Sequence, residues 1–111
     1  RNAQMRVRLV EANPGPPERG DFNRWLLEVT DLDGRPINDV TVAVDPTMPA
    51  HGHGTTPLPT VTPVEGMPGQ FEAGPLNLFM PGLWQIRVRV TGPGEEPLID
   101  AFIDFEFWIE S

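Results

Sequence analysis

The residues best suited to chemistry lie in one short loop, residues 48–54, which read Met-Pro-Ala-His-Gly-His-Gly. Both histidines of the chain are here, His51 and His53. Because residues two positions apart in an extended backbone face the same side, we expect the two imidazoles to reach one metal ion. Met48 adds a thioether, a soft ligand that favours Cu(I), and imidazole suits both oxidation states of copper. The loop therefore predicts a copper site.

Other interpretations of this loop are either disfavoured or stay open. His-x-His in a loop is a weak signal by itself, and a Gly-Pro loop with two solvated histidines fits the same spacing. A zinc site would gain little from Met48 and, in a chain without Cys, would need carboxylate ligands. A blue-copper electron-transfer centre is disfavoured because it needs a Cys thiolate beside two histidines.

The other three methionines are predicted to have different roles. Met80 precedes Pro81 and Gly82, and we expect it to supply a further thioether where its turn approaches the histidine loop. Met67 lies in a Gly-Pro turn, and we expect it to fill a gap in the core, as methionine commonly does. Its participation in the metal site stays open. Met5 lies on the apolar face of a run with period-two alternation and is predicted to be in the core.

The residue types that the chain lacks argue against an enzyme. It has no Cys and no Lys, and its only Ser is the terminal Ser111, so the usual covalent nucleophiles are missing. A metal hydrolase needs an open metal position and a nearby base, and the spacing does not single out Glu65 or Asp45 for that role. The net charge of −8 disfavours nucleic acid as a partner and does not oppose a cation. We therefore expect a binding protein.

Short strands explain the pattern of the whole chain. The 11 Gly and 14 Pro residues fall between apolar runs and leave no clean helical window. These runs alternate with period two, and the predicted inward faces include Met5-Val7-Leu9, Trp25-Leu27-Val29, Val40-Val42-Val44 and Trp84-Ile86-Val88-Val90. About seven strands predict an all-β fold, an immunoglobulin-like antiparallel sandwich, with a small barrel as the alternative. We expect a single domain over residues 1–111.

The last apolar run is predicted to present two different faces. One face carries Ile99, Ala101, Ile103, Phe105 and Phe107, and the other carries Asp100, Phe102, Asp104, Glu106 and Trp108. Cross-strand ion pairs with Arg87 and Arg89 are the ordinary explanation of the acidic residues. Phe102 and Trp108 mark a partner surface if they are exposed, and a small satellite core if loops cover them.

A turn is predicted at Asp31-Leu32-Asp33-Gly34. We expect a hairpin turn in which Gly34 takes a positive φ. Calcium binding here is disfavoured, because an EF-hand loop needs a Glu at its twelfth position, where this chain has Val42.

A membrane span is not expected for this chain. No apolar run approaches the ~20 residues needed to cross a bilayer. The chain begins at Arg1 without a signal peptide. We therefore expect a mature or trimmed form from which a signal or a lipid anchor has been removed.

Several of these elements occur in an order that resembles a known family. A Trp-containing strand leads into Asp31-x-Asp33-Gly34-x-Pro36 and an alternating valine strand. The elements that follow are Met48-Pro49-x-His51-Gly52-His53-Gly54, Gly69-Gln70-Phe71 and Phe79-Met80-Pro81-Gly82-Leu83-Trp84-Gln85-Ile86. Over roughly residues 22–91, this order resembles the YtkA-like family of bacterial extracytoplasmic domains, which is similar to the FixH-type proteins of oxidase assembly.

The resemblance implies an immunoglobulin-like sandwich located in the periplasm, at the cell surface or outside the cell. It also implies copper handling, as a chaperone, in resistance or in oxidase metallation, with a copper-receiving or membrane protein as partner. His51 and His53 carry over as candidate ligands, with Met48 and Met80 beside them. Family members often have another Met in the loop where this chain has Ala50, which leaves the copper oxidation state open.

Two functions follow from the sequence, and the fold alone does not choose between them. The first is an extracytoplasmic copper-binding protein that uses the Met-His loop. The second is a metal-free interaction or structural module that binds a protein partner through the Phe102 and Trp108 face or through the Pro-rich loops.

Overall fold

The computed structural model describes residues 5–37, 39–54, 58–92 and 99–110. These residues form eight strands and one 3₁₀ turn. The strands are β1 (Arg6–Asn13), β2 (Gly20–Thr30), β3 (Thr41–Met48), β4 (His53–Gly54), β5 (Thr60–Pro63), β6 (Gln70–Leu78), β7 (Gly82–Gly92) and β8 (Ile99–Ile109). The turn, Pro49–His51, joins β3 to β4. Because β4 has only two residues, the expectation of about seven strands is confirmed.

The strands form two antiparallel sheets of four strands each. One sheet has the order β1-β2-β6-β5 and the other has the order β4-β3-β7-β8. This order is that of a constant-type immunoglobulin domain, ABED on one sheet and CFG on the other, with β4 added beside the C strand. The predicted immunoglobulin-like sandwich is therefore confirmed, and the chain does not close into a single barrel.

The core lies between the two sheets and is built from the alternating residues that period two predicts. Buried side chains from the central strands include Trp25, Leu27, Val29, Val42, Val44, Trp84, Ile86, Val88 and Val90. Met5 is partly buried and packs against this cluster, as predicted. From β8, the rings of Phe105 and Phe107 meet Trp25 edge to face at 5.7 and 5.2 Å, an arrangement that aromatic pairs favour.

The turn at residues 31–36 forms as predicted, but the two strands that it connects are not the neighbouring strands that a hairpin would join. Gly34 has a φ of 86°, and Asp31 Oδ1 accepts hydrogen bonds from the backbone N–H groups of Asp33 and Arg35, each at 2.9 Å. An isolated bridge between Thr30 and Pro36 closes the turn. However, it joins β2 to β3, which lie in different sheets, so it is a crossover between layers and does not form a hairpin of neighbouring strands.

The part of the chain described here contains no helix that is long and apolar enough to cross a membrane.

Candidate functional site

The histidine loop and the Met80 turn lie at the same end of the sandwich. β3 ends at Met48, β7 begins at Gly82, and the two strands are paired near these ends through Thr47 and Gln85. The 3₁₀ turn that carries His51 also contacts β7. This end of the molecule, made by the turn at residues 49–52, β4 and the turn at residues 79–81, is called the Met-His rim below.

The backbone around the two histidines is folded back on itself. His51 is the last residue of the 3₁₀ turn and is exposed. Gly52 follows in the left-handed conformation with φ 66°, and its N–H donates to the Met48 carbonyl at 3.0 Å. The prediction of an extended backbone through this segment is therefore wrong. Pro49 fits the start of a helical turn and Gly52 tolerates the left-handed conformation that ends it.

His53 begins the short strand that returns along β3. Its backbone pairs with that of Met48 in the antiparallel ladder. The side chain of His53 lies outside the described part of the structure. The two histidines thus flank a reversal of the chain, and the rule that places residues i and i+2 on one side does not apply to them.

Met48 is a core residue in this structure. It is 1 % exposed, and a Cβ atom added at Gly82 would lie 2.9 Å from the Met48 Cε. The thioether therefore faces the interior and contacts the start of β7. The alternation of β3, which buries Val42, Val44 and Pro46, continues to Met48 and could have indicated this from the sequence.

Met80 is the methionine that stays partly accessible at the Met-His rim. Its side chain is half-buried and packs against the core. The Trp84 indole N–H donates to the Met80 carbonyl at 2.9 Å. Phe79 packs edge to face on Trp84 at 5.6 Å, and the Phe79 carbonyl accepts from Arg19 Nε at 3.0 Å. These contacts fix the turn that carries the Met80 thioether.

Met67 lies at the other end of the sandwich, so it cannot join Met80 at one metal ion. The two residues flank the nine-residue strand β6, which places them about 30 Å apart at ~3.3 Å per residue. Met67 is also 48 % exposed, so the prediction that it packs in the core is wrong. Its N–H donates to the Val64 carbonyl and its carbonyl accepts from Gln70, and this tight turn directs the side chain outward.

Conventional metal ligands form no cluster in the described part of the chain. Residues 5–37, 39–54, 58–92 and 99–110 contain no group of three or more His, Cys, Asp or Glu side chains that could hold a metal ion. This result includes the described part of the Met-His rim.

The outer face of β7 and β8 carries charged and aromatic side chains. Arg87 donates to both carboxylate oxygens of Asp104, at 2.9 and 3.1 Å, and the Phe102 ring stacks on its guanidinium at 3.9 Å. The hydrogen bonds from Arg87 hold the pKa of Asp104 below its ordinary value. The predicted cross-strand ion pair is thus confirmed for Asp104, whereas Glu106 lies opposite Gln85.

The two aromatic residues on this outer face are exposed. Phe102 is 56 % exposed and Trp108 is 66 % exposed. Trp108 lies directly opposite Leu83, which is 41 % exposed. These residues therefore do not form a satellite core under the loops. The Asp100 side chain, predicted on the same face, lies outside the described residues.

Comparison with known proteins gives a single result. The YtkA-like family model matches residues 2–89, which is most of the 111-residue chain. No curated protein and no solved structure matches the chain. The match includes the histidine loop, Met80 and the start of β7, and it ends before β8. The chain therefore belongs to the YtkA-like family.

Proposed function

We propose that this protein binds copper at the Met-His rim, as an extracytoplasmic chaperone, resistance or oxidase-metallation protein. One observation carries the proposal. Both histidines of the chain and the half-buried thioether of Met80 belong to segments that meet at one end of the sandwich. The opposite end carries no histidine, and its thioethers are those of the exposed Met67 and the half-buried Met5, which precedes β1 beside the end of β2.

The chemistry of the ligands sets what the site does. Two imidazoles and one thioether bind Cu(I) well and suit it better than zinc. Met48 supplies a second thioether only if its side chain turns out of the core. No covalent or redox step is assigned to the protein, and we expect it to be a carrier, not an enzyme. Few ligands on an exposed turn favour transfer of copper to a receiving protein.

Copper titration against a competing chelator tests this proposal. We expect the parent protein to bind one copper ion. We expect His51→Ala/His53→Ala to lose most of the affinity, by about a hundredfold or more, which corresponds to at least ~2.7 kcal/mol. Met80→Leu should weaken Cu(I) binding and change Cu(II) binding less, because thioether is a soft ligand.

Met67→Leu is the matched control, since it removes a thioether at the opposite end of the sandwich. It should leave copper affinity unchanged. Equal stoichiometry and affinity in the parent and in the double histidine variant would end the copper proposal. Thermal unfolding of each variant would check that its fold is intact. Met48 variants are unsuitable because that side chain is in the core.

A second candidate function is a module that binds a protein partner without metal. The observation that favours it is the exposure of Phe102 and Trp108 on the outer face of β8. Contiguous exposed apolar patches commonly mark interaction surfaces, and on this face Trp108 lies opposite the exposed Leu83. The two functions use different parts of the molecule and are not exclusive.

A further inference from the structure

The four outer strands of the two sheets differ in how they are protected from further pairing. The edges are β1 and β5 in one sheet and β4 and β8 in the other. A sheet edge presents unpaired N–H and C=O groups that can pair with another chain, and proteins blunt their edges by short strands, bulges, Pro or charged residues. The presence or absence of these devices shows which edge is open to a partner.

Three of the four edges carry such devices. β5 has four residues and ends with Pro63, and β4 has two residues. β1 carries Arg6 and Arg8 and has an irregularity in its register between Leu9 and Glu11. Each of these features limits the addition of another strand.

Among these devices, the edge at β8 has only charged residues. It is eleven residues long, contains no Pro or Gly, and pairs with β7 in an uninterrupted register from Ile99 to Ile109. Within the described ranges, no strand pairs with its other side. It also exposes large apolar side chains, since Ile103 is 39 % exposed and Phe102 and Trp108 are more exposed still.

The charge on β8 indicates what kind of chain it accepts. Its charged residues are Asp100, Asp104 and Glu106, all acidic, and Glu110 follows directly. The chain as a whole has a net charge of −8. A second copy paired at this edge would place acidic residues close to acidic residues, which disfavours self-pairing. A basic strand would instead meet opposite charges and exposed aromatic rings, which attract Lys and Arg.

We propose that β8 receives an extended basic segment of a partner protein, which adds a fifth strand to the β4-β3-β7-β8 sheet. Main-chain hydrogen bonds along the edge provide affinity, and alternate side chains provide specificity. The exposed rings of Phe102 and Trp108 contact apolar and cationic side chains of the added strand. This inference does not depend on copper, and it gives the second candidate function a specific edge and a class of partner.

A peptide titration in the presence of EDTA tests the proposal without metal. The probe is a short fluorescent peptide of alternating valine and lysine, and the matched peptide has glutamate in place of lysine. We expect the basic peptide to bind at least about tenfold more tightly than the acidic one. Hydrogen exchange of the β8 backbone amides should slow when the basic peptide is bound, because strand addition buries and pairs that edge.

The variant Phe102→Lys/Trp108→Lys should weaken binding of the basic peptide by at least about tenfold. The control, Leu32→Lys/Leu58→Lys, makes the same charge change at two exposed leucines outside the strands and should bind like the parent. Equal weakening in both variants would show general charge attraction and overturn the proposal. Binding without protection of β8 amides would overturn strand addition while keeping a protein-binding function. If the parent protein dimerised through β8, the added strand would come from a second copy of the chain, and this result would also overturn the proposal.

Discussion

At the scale of single residues, the contact between Gly82 and Met48 shows how the Met-His rim is packed. Gly82 has a φ of 128° and offers no room for a Cβ beside the Met48 methyl group. A side chain at this position is therefore opposed both by its backbone conformation and by a close contact. The start of β7 therefore packs closely against the buried Met48, whose inward direction follows the alternation of β3.

We expect Gly82→Ala to lower the free energy of unfolding by about 1–3 kcal/mol, from backbone strain and overpacking together. The control is Gly66→Ala. Gly66 also has a positive φ, of 78°, but a Cβ added there would have no neighbouring atom within 4 Å. Urea denaturation of both variants separates the two effects. If Gly66→Ala proved as destabilising as Gly82→Ala, the contact with Met48 would contribute nothing.

The ion pair between Arg87 and Asp104 predicts a pH dependence. Because hydrogen bonds from Arg87 lower the pKa of Asp104 in the folded state, the pair stabilises the fold at neutral pH. This contribution is lost as the pH falls through the lowered pKa of the folded state. We therefore expect Asp104→Asn to melt slightly below the parent at pH 7, and the difference to disappear in strong acid.

Thermal unfolding of the parent and Asp104→Asn between neutral and strongly acidic pH measures this effect. The exposed carboxylate variant Glu65→Gln serves as the control, and its difference from the parent should stay small throughout. A difference between Asp104→Asn and the parent that persists unchanged in strong acid would exclude the ion pair as its cause.

Residue types in the sequence suggested candidate ligands, but their spacing did not predict the side-chain directions correctly. The predicted approach of the Met80 turn to the histidine loop agrees with the structure, in which both lie at one end of the sandwich. However, the prediction from the histidine spacing assumed an extended backbone where Pro49 and Gly52 form a turn. The inward direction of Met48 could be read from the alternation of β3. The outward direction of Met67 could not, because it depends on a local turn and not on a periodic pattern.

At the scale of elements, β8 performs two tasks on its two faces. Its inner face places Phe105 and Phe107 against Trp25 in the core. Its outer face exposes Phe102 and Trp108. Since the family match ends at residue 89, this strand completes the sandwich with residues that lie outside the matched segment.

Truncation of one ring on each face tests this division. We expect Phe107→Ala to lower the free energy of unfolding by about 3 kcal/mol, because it opens a cavity beside Trp25. We expect Phe102→Ala to cost less than about 1 kcal/mol, since it removes an exposed ring stacked on Arg87. Chemical denaturation measures both values. Similar losses in the two variants would contradict the assignment of faces.

The elements were predictable because their signals are periodic. Alternation with period two identified the inward faces of β2, β3 and β7, and it identified both faces of β8. The crossover at residues 31–36 was less predictable. Asp31 and Gly34 indicated that a turn forms there. Whether a turn joins neighbouring strands of one sheet or strands of two different sheets depends on packing over the whole fold.

At the scale of the whole molecule, the sandwich separates two surfaces with different chemistry. The Met-His rim brings the two histidine-bearing segments and the Met80 turn to one end. The β8 edge presents aromatic and acidic residues along one side. Under the two proposals, the rim would bind copper and the β8 edge would bind a basic strand, and the net charge of −8 favours cations over anions in general.

X-ray absorption at the copper edge of the protein loaded with one equivalent of Cu(I) would identify the atoms that bind copper at the Met-His rim. We predict nitrogen scatterers from imidazole together with a sulfur scatterer. The sulfur signal should disappear in Met80→Leu and persist in Met67→Leu. Copper surrounded only by oxygen ligands, with a spectrum that His51→Ala/His53→Ala does not change, would contradict the account.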